Sequence, residues 1–174
     1  MSELYATTYK LVPGDKIPNN SKLPVLYYKQ VLGSKAPFTA QFKAAFEKNN
    51  WKGIWVNGIF NYHHYHSTSH EVLGVAAGSA EVILGGPDGK VFNLEAGDMV
   101  VLPAGTGHCL KHASPDFKVV GAYPNGQQSY DICTQDTDPE AKVKTIAQVP
   151  LPAQDPVGGT TGPLVEIWGR AKQT

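Results

Sequence analysis

Glu71-Val72-Leu73-Gly74-Val75-Ala76-Ala77-Gly78-Ser79-Ala80-Glu81-Val82-Ile83-Leu84-Gly85-Gly86-Pro87-Asp88-Gly89-Lys90-Val91-Phe92-Asn93-Leu94 contains three short β-prone runs, parted by Ala77-Gly78 and by the cluster that starts at Gly85. Runs of this length, bounded by turn residues and free of helical period, read as antiparallel strands. The quoted stretch therefore predicts strands at 71–76, 79–84 and 90–94. The same punctuation runs outward in both directions. Upstream it predicts strands at 53–60 and 62–66, and downstream at 99–102, 109–112 and 117–122. The downstream turns are Ala96-Gly97-Asp98, Pro103-Ala104-Gly105-Thr106-Gly107 and Ser114-Pro115-Asp116. Many short strands with no interleaved helix indicate an all-β antiparallel jelly-roll barrel and exclude a doubly wound α/β sheet.

The flanks read differently. Residues 1–52 form a lead-in in which Leu23-Pro24-Val25-Leu26-Tyr27-Tyr28 is β-prone. Phe38, Phe42 and Phe46 then recur at four-residue steps between Pro37 and Asn49-Asn50, which predicts one short amphipathic helix with a core-facing stripe. After Tyr130 the composition turns to Asp, Pro, Gly and Thr until Pro163-Leu164-Val165-Glu166-Ile167-Trp168. Residues 131–174 are read as a strap that docks on the barrel or on a second subunit, since a solvated linker has no use for Leu, Ile and Trp. A length of 174 residues fits a single domain over 1–174 with its strand-rich core at 53–125.

Fifteen basic and fifteen acidic residues cancel, which removes the electrostatic footprint expected for nucleic acid or an anionic membrane. Arg170 is the only arginine, so bidentate clamps for phosphate or carboxylate substrates are not expected in a site. No apolar run reaches membrane-spanning length. Cys109 and Cys133 read as reduced thiols, and the opening Met1-Ser2-Glu3-Leu4-Tyr5-Ala6 lacks the runs of a secretory signal, so a soluble cytoplasmic protein is expected.

All six histidines lie between His63 and His112. In the predicted strand at 62–66, alternate side chains share a face, so His64 and His66 point one way and His63 and Tyr65 the other. The next strand brings Glu71 or His70 to the same spot, and a one-residue shift of register would exchange them. His108 follows a Gly-rich turn and supplies a further imidazole. Two segments distant in sequence thus converge on one divalent ion. By parity, Phe60 and Tyr62 line the cavity with His64 and His66, Leu73 does so with Glu71, and Leu110 and His112 do so with His108. Tyr123 is placed within reach of the site.

The spacing is more specific than the clustering. Gly58, His64, His66, Glu71 and Gly78, separated by five, one, four and six residues, reproduce the first cupin motif. Gly97, Pro103, Gly105 and His108, separated by five, one and two, reproduce the second up to its last position, where His112 stands in place of the usual asparagine. Outside these motifs, Ile17-Pro18-Asn19-Asn20, Leu23-Pro24-Val25, His63-His64-Tyr65-His66-Ser67, His70-Glu71-Val72-Leu73-Gly74, Gly121-Ala122-Tyr123-Pro124, Asp155-Pro156-Val157 and Gly162-Pro163-Leu164 resemble a bacterial subgroup of small cupins, the YjlB-like proteins. The resemblance implies a single-domain double-stranded β-helix with His64, His66, Glu71 and His108 as metal ligands. It favours Glu71 over His70 as the ligand and brings no substrate with it.

Three neutral imidazoles and one carboxylate leave a divalent ion with one formal positive charge and, at six-coordination, two open positions. The set suits Fe, Mn, Ni, Co, Cu or Zn. The leading expectation is a metal-dependent oxidoreductase of the dioxygenase kind acting on a small, weakly charged, oxygen-bearing molecule, with Glu71 doubling as a proton acceptor. Non-redox isomerase or lyase chemistry and a non-catalytic binding module are the alternatives. A homodimer is expected.

Overall fold

The computed structural model of the chain describes residues 3–173; Met1, Ser2 and Thr174 lie outside the described residues. Two antiparallel sheets face each other. The first has six strands: β1 (Thr7–Tyr9), β2 (Val25–Tyr28), β3 (Trp51–Asn57), β5 (Glu71–Ala77), β8 (Met99–Leu102) and β10 (Lys118–Pro124), in the order β1-β2-β8-β5-β10-β3. The second has five: β4 (His64–Tyr65), β6 (Ser79–Leu84), β7 (Lys90–Glu95), β9 (His108–Ala113) and β11 (Cys133–Thr134), in the order β11-β4-β9-β6-β7. This is a double-stranded β-helix, and every strand predicted from turn chemistry is present to within a few residues. The sheets do not join into one hydrogen-bonded cylinder, so the barrel of the sequence reading is an open one.

Between the sheets, Val25, Leu73, Val75, Val100, Leu102 and Val119 of the first meet Val82, Leu84, Phe92 and Leu94 of the second. The first sheet is buried on its outer face as well. Helix α1 (Phe38–Lys48) lays Phe42 and Phe46 on Val72, Met99, Val101 and Val120, which is why β5 is apolar almost continuously instead of alternating. A Cβ on Gly74 would stand 2.6 Å from the Phe42 ring, so the glycine admits the helix.

The segment after Tyr130 contains two helices that the sequence reading did not separate from the strap: α2 (Glu140–Ala147) and α3 (Pro163–Gln173). α3 places Leu164 and Trp168 in the cluster that covers the first sheet, and the indole donates its N–H to Pro24 O at 2.9 Å. The strap therefore docks on the chain's own sheet. Ahead of α3, the buried Asp155 carboxylate accepts from the Val157, Gly158 and Leu164 N–H groups and from the Tyr28 hydroxyl. Burial and the adjacent Asp155 push the Tyr28 phenol far above its ordinary pKa, so it remains a donor. Cys109 and Cys133 are free thiols. No helix among the described residues is long and apolar enough to cross a membrane.

Candidate metal centre

His64 and His66 come from the short β4 and the turn that follows it, and Glu71 opens β5 on the opposite sheet. His108 opens β9, and its only register partner on β4 is His64. The four side chains meet at the mouth between the sheets, each at most 6% exposed. Ligand atoms of His64, His66 and His108 lie within 4.8 Å of one another. Glu71 Oε1 approaches His66 Nε2 at 3.5 Å and His108 Nε2 at 3.3 Å.

The other ring nitrogen decides what these imidazoles present. His64 Nδ1 lies 2.9 Å from Tyr62 O, His66 Nδ1 2.6 Å from Asp131 O and His108 Nδ1 3.0 Å from Thr106 O. A carbonyl only accepts, so each Nδ1 carries the proton and each neutral ring turns the lone pair of Nε2 toward the others. Glu71 Oε1 is buried with no hydrogen-bond partner among the described residues. Lone pairs and a carboxylate oxygen packed together in a buried site repel unless a cation lies among them, so the donor set fits a divalent metal ion.

Protonation follows the same geometry. Burial and the neighbouring His108 push His64 down to about 3. Burial also acts downward on His66, but the Glu71 carboxylate and the hydrogen bonds around the ring outweigh it and raise this residue. Burial acts upward on Glu71, yet the two imidazoles hold it below the usual carboxylate range, so it stays ionised.

His70 settles the register. It is fully buried but faces away from the cavity, where its Nδ1 accepts the Ala104 N–H at 2.8 Å and its ring lies 4.8 Å from that of Trp168. It touches none of the clustered ligands, so Glu71 and not His70 is the one that reaches them. Its neighbour loop delivers His108: Gly105 N–H donates to His66 O, and Gly105 has φ 92° in a space where a Cβ would meet Asn19 O at 2.5 Å.

A cavity of about 260 Å³ opens onto the cluster. Phe60, Leu73 and Tyr123 line it, and so do Trp55, Ile59, Tyr130 and Ile132, which sequence reasoning missed. Tyr62 is not part of the wall but stacks on Phe60, with ring centroids 5.0 Å apart. Leu110 packs toward the inter-sheet core instead of the cavity. His112 is exposed on the outside, because a bulge pairs Glu81 with His112 and Val82 with Leu110, and the extra residue Lys111 reverses the parity of β9. Trp55 was not visible to pattern reading because its place depends on Gly121, where a Cβ would overlap the indole at 2.2 Å. The Trp55 N–H donates to the Tyr123 hydroxyl at 2.9 Å. Burial and then the Glu71 carboxylate raise the Tyr123 phenol well above its ordinary value.

Asp131 is a further residue that the sequence did not disclose. Its carbonyl orients His66, while its carboxylate accepts from the Ser67 N–H and hydroxyl, from Thr68 and from the Cys133 thiol, and pairs with Lys142 at 3.5 Å. Partial burial works upward on this carboxyl, but the Ser67 bonds prevail and hold it down to about 2. Gln127 makes a second tie to the same turn through the Ser69 hydroxyl and the His70 N–H. The segment that carries Tyr130 and Ile132 over the cavity is thus fastened on both sides of Tyr130 to the turn that carries the ligands.

Residues 54–120 match the family model described as "Cupin domain". Over 162 residues the chain is 40% identical to the uncharacterized protein YjlB of Bacillus subtilis (strain 168), covering 92% of this chain and 95% of that one. Among solved structures it is similar to an acireductone dioxygenase from Bacillus anthracis with a cadmium ion in its active centre (18% identity, 52% of this chain, 61% of that chain, TM-score 0.39). It is also similar to a double-stranded β-helix protein from Klebsiella pneumoniae (16% identity, 76% of this chain, 85% of that chain, TM-score 0.37).

Proposed function

The chain belongs to the YjlB group of the cupin family, and from that premise we propose that it holds one divalent transition-metal ion through His64, His66, Glu71 and His108 and acts as an oxidoreductase of the dioxygenase kind on a small oxygen-bearing molecule. The observation that carries the reading is the convergence of unprotonated ring nitrogens on a partnerless carboxylate oxygen. When bound, the ion would supply Lewis acidity toward a substrate oxygen and, for a redox-active metal, an electron. The imidazoles keep their tautomer because each Nδ1–H is spent on a backbone carbonyl. Glu71 is held ionised and would accept a proton from the substrate only once its hold on the ion and on the two imidazoles loosens. Tyr123, fixed by Trp55, stays a neutral phenol beside it and donates a hydrogen bond to charge that develops in the cavity. Leu73, Ile59 and the aromatic walls exclude bulk water.

Metal analysis of freshly purified protein, followed by oxygen-electrode assays of a panel of diols and diketones, tests the reading. Near-stoichiometric metal with substrate-dependent oxygen uptake is the expected result. Equal turnover under strict anaerobiosis would replace it with non-redox metal chemistry.

A further inference from the structure

The walls of the cavity carry more information than its donor set. Two stacked aromatic pairs flank the histidines: Tyr123 and Tyr130 lie 4.4 Å apart at 22° beside His66, and Phe60 and Tyr62 lie 5.0 Å apart at 13° beside His64. Among the described residues, five of the nine large exposed hydrophobic side chains, Val56, Phe60, Tyr62, Tyr130 and Ile132, belong to this one rim, so the exposure is local and not a general property of the surface. No lysine or arginine lines the cavity among the described residues, and Arg170 pairs with Glu166 on α3. Among the lining side chains Glu71 is the one carboxylate, and the proposed ion beside it is the one cation.

From these features we infer that the substrate is a flat, uncharged ring compound that inserts between the two aromatic pairs and presents one or two ring oxygens to the histidine cluster. The inference rests on the metal-centre reading above. Aromatic faces favour a ring in offset or edge-on contact over an aliphatic chain of equal size. A negative group on the ring away from the histidine cluster would be taken out of water with no lysine or arginine to meet it. A volume of about 260 Å³ lies at the small end for ligand pockets, which suits one or two fused rings. The rim is a concave opening that leads directly to the ligand nitrogens, which favours a small molecule over a second copy of the chain as its occupant.

The test uses the full chain loaded with zinc, which has no redox chemistry, and calorimetry with three probes. These are 2,3-dihydroxynaphthalene, its 6-sulfonate, and acetohydroxamate, which offers paired oxygens without a ring. Phe60→Ala and Tyr130→Ala are each expected to weaken dihydroxynaphthalene by roughly three- to tenfold and to leave acetohydroxamate within about twofold. Phe60→Leu, which keeps apolar bulk but loses the ring, is expected to behave like Phe60→Ala. The sulfonate is expected to bind the wild type more weakly than the parent diol. Equal losses for both uncharged probes, no loss, or a sulfonate that binds as well as the diol overturns the substrate class while the metal centre stands. Rim variants that only turn a dimer into a monomer assign the patch to a second copy and overturn it as well. A wild type that retains no zinc defeats the metal reading and this inference with it.

Discussion

His66 and His70 are four residues apart, both almost wholly buried, and they lie on opposite sides of the turn that leads into β5. On the cavity side, His66 spends one nitrogen on Asp131 O and aims the other at Glu71 and His108. On the tail side, His70 spends one nitrogen on the Ala104 N–H and lies against Trp168. The two rings are equally hidden, so burial does not distinguish a ligand from a structural histidine. The groups gathered around each ring do. Lone pairs gathered around a carboxylate call for an ion, whereas an imidazole between a backbone N–H and an indole is part of the packing.

The comparison breaks most easily at the metal. His66→Ala or His108→Ala should reduce bound metal from about one ion per chain, the expectation for a closed ligand set of this type, to near zero by elemental analysis. His70→Asn should leave it unchanged. Glu71→Gln should fall between the two, because an amide is a poor substitute for a ligating carboxylate. A larger loss in the His70 variant than in the Glu71 variant would invert the assignment of the two sides.

The next effect belongs to the tail side. Trp168→Ala should cost about 3 to 5 kcal/mol of stability, since it removes a fully buried indole and its hydrogen bond to Pro24. Truncation after Pro150 should cost more, because Leu164 and the Asp155 cap on Tyr28 go with it. Denaturant melts of the metal-loaded protein would measure both, and an unchanged midpoint for the truncated chain would show the strap to be dispensable.

A pH series sharpens the contrast at His70 itself. Burial holds it down to about 3, so below the unfolded value of about 6.5 the unfolded chain takes up a proton that the native chain refuses. Its contribution is therefore complete above about pH 6.5 and is lost as pH falls toward 3, at about 1.4 kcal/mol per unit. His70→Asn should flatten that part of the stability profile by one proton. A slope identical to wild type would mean that His70 is not the group responsible.

The smallest effect is expected on the cavity side. Asp131→Ala keeps the carbonyl that meets His66 but releases its loop from Ser67, and should lower metal affinity by roughly tenfold or less, the low end for groups that support a ligating histidine. Competition with a chelator would read it. Asp131→Asn, which keeps an acceptor for the Ser67 N–H, should recover part of the loss.

Much of this was legible in advance because local periodicity reports facing within an element. Turn residues marked the strands, alternation on β4 separated His64 and His66 from His63, and motif spacing chose Glu71. The helix at Phe38–Lys48 announced itself by its phenylalanine stripe. α3 carried a readable signal too, with Leu164, Ile167, Trp168 and Ala171 at helical spacing after Pro163. A window that stopped at Trp168 was too short to display it.

What the sequence by itself determined is the set of strands, the side each residue takes along an uninterrupted strand, and the residues able to serve as ligands. Tertiary structure alone decided that His112 leaves the cavity, that Tyr130 and Ile132 roof it, that Trp55 walls it, and that His70 meets Trp168. The physical reason is common to all four. A bulge resets parity through pairing with another strand, and a roof, a wall or a docked helix is held by contacts between segments far apart in the chain. Local patterns encode which face a side chain takes, but the partner it meets there depends on the closure of the whole fold.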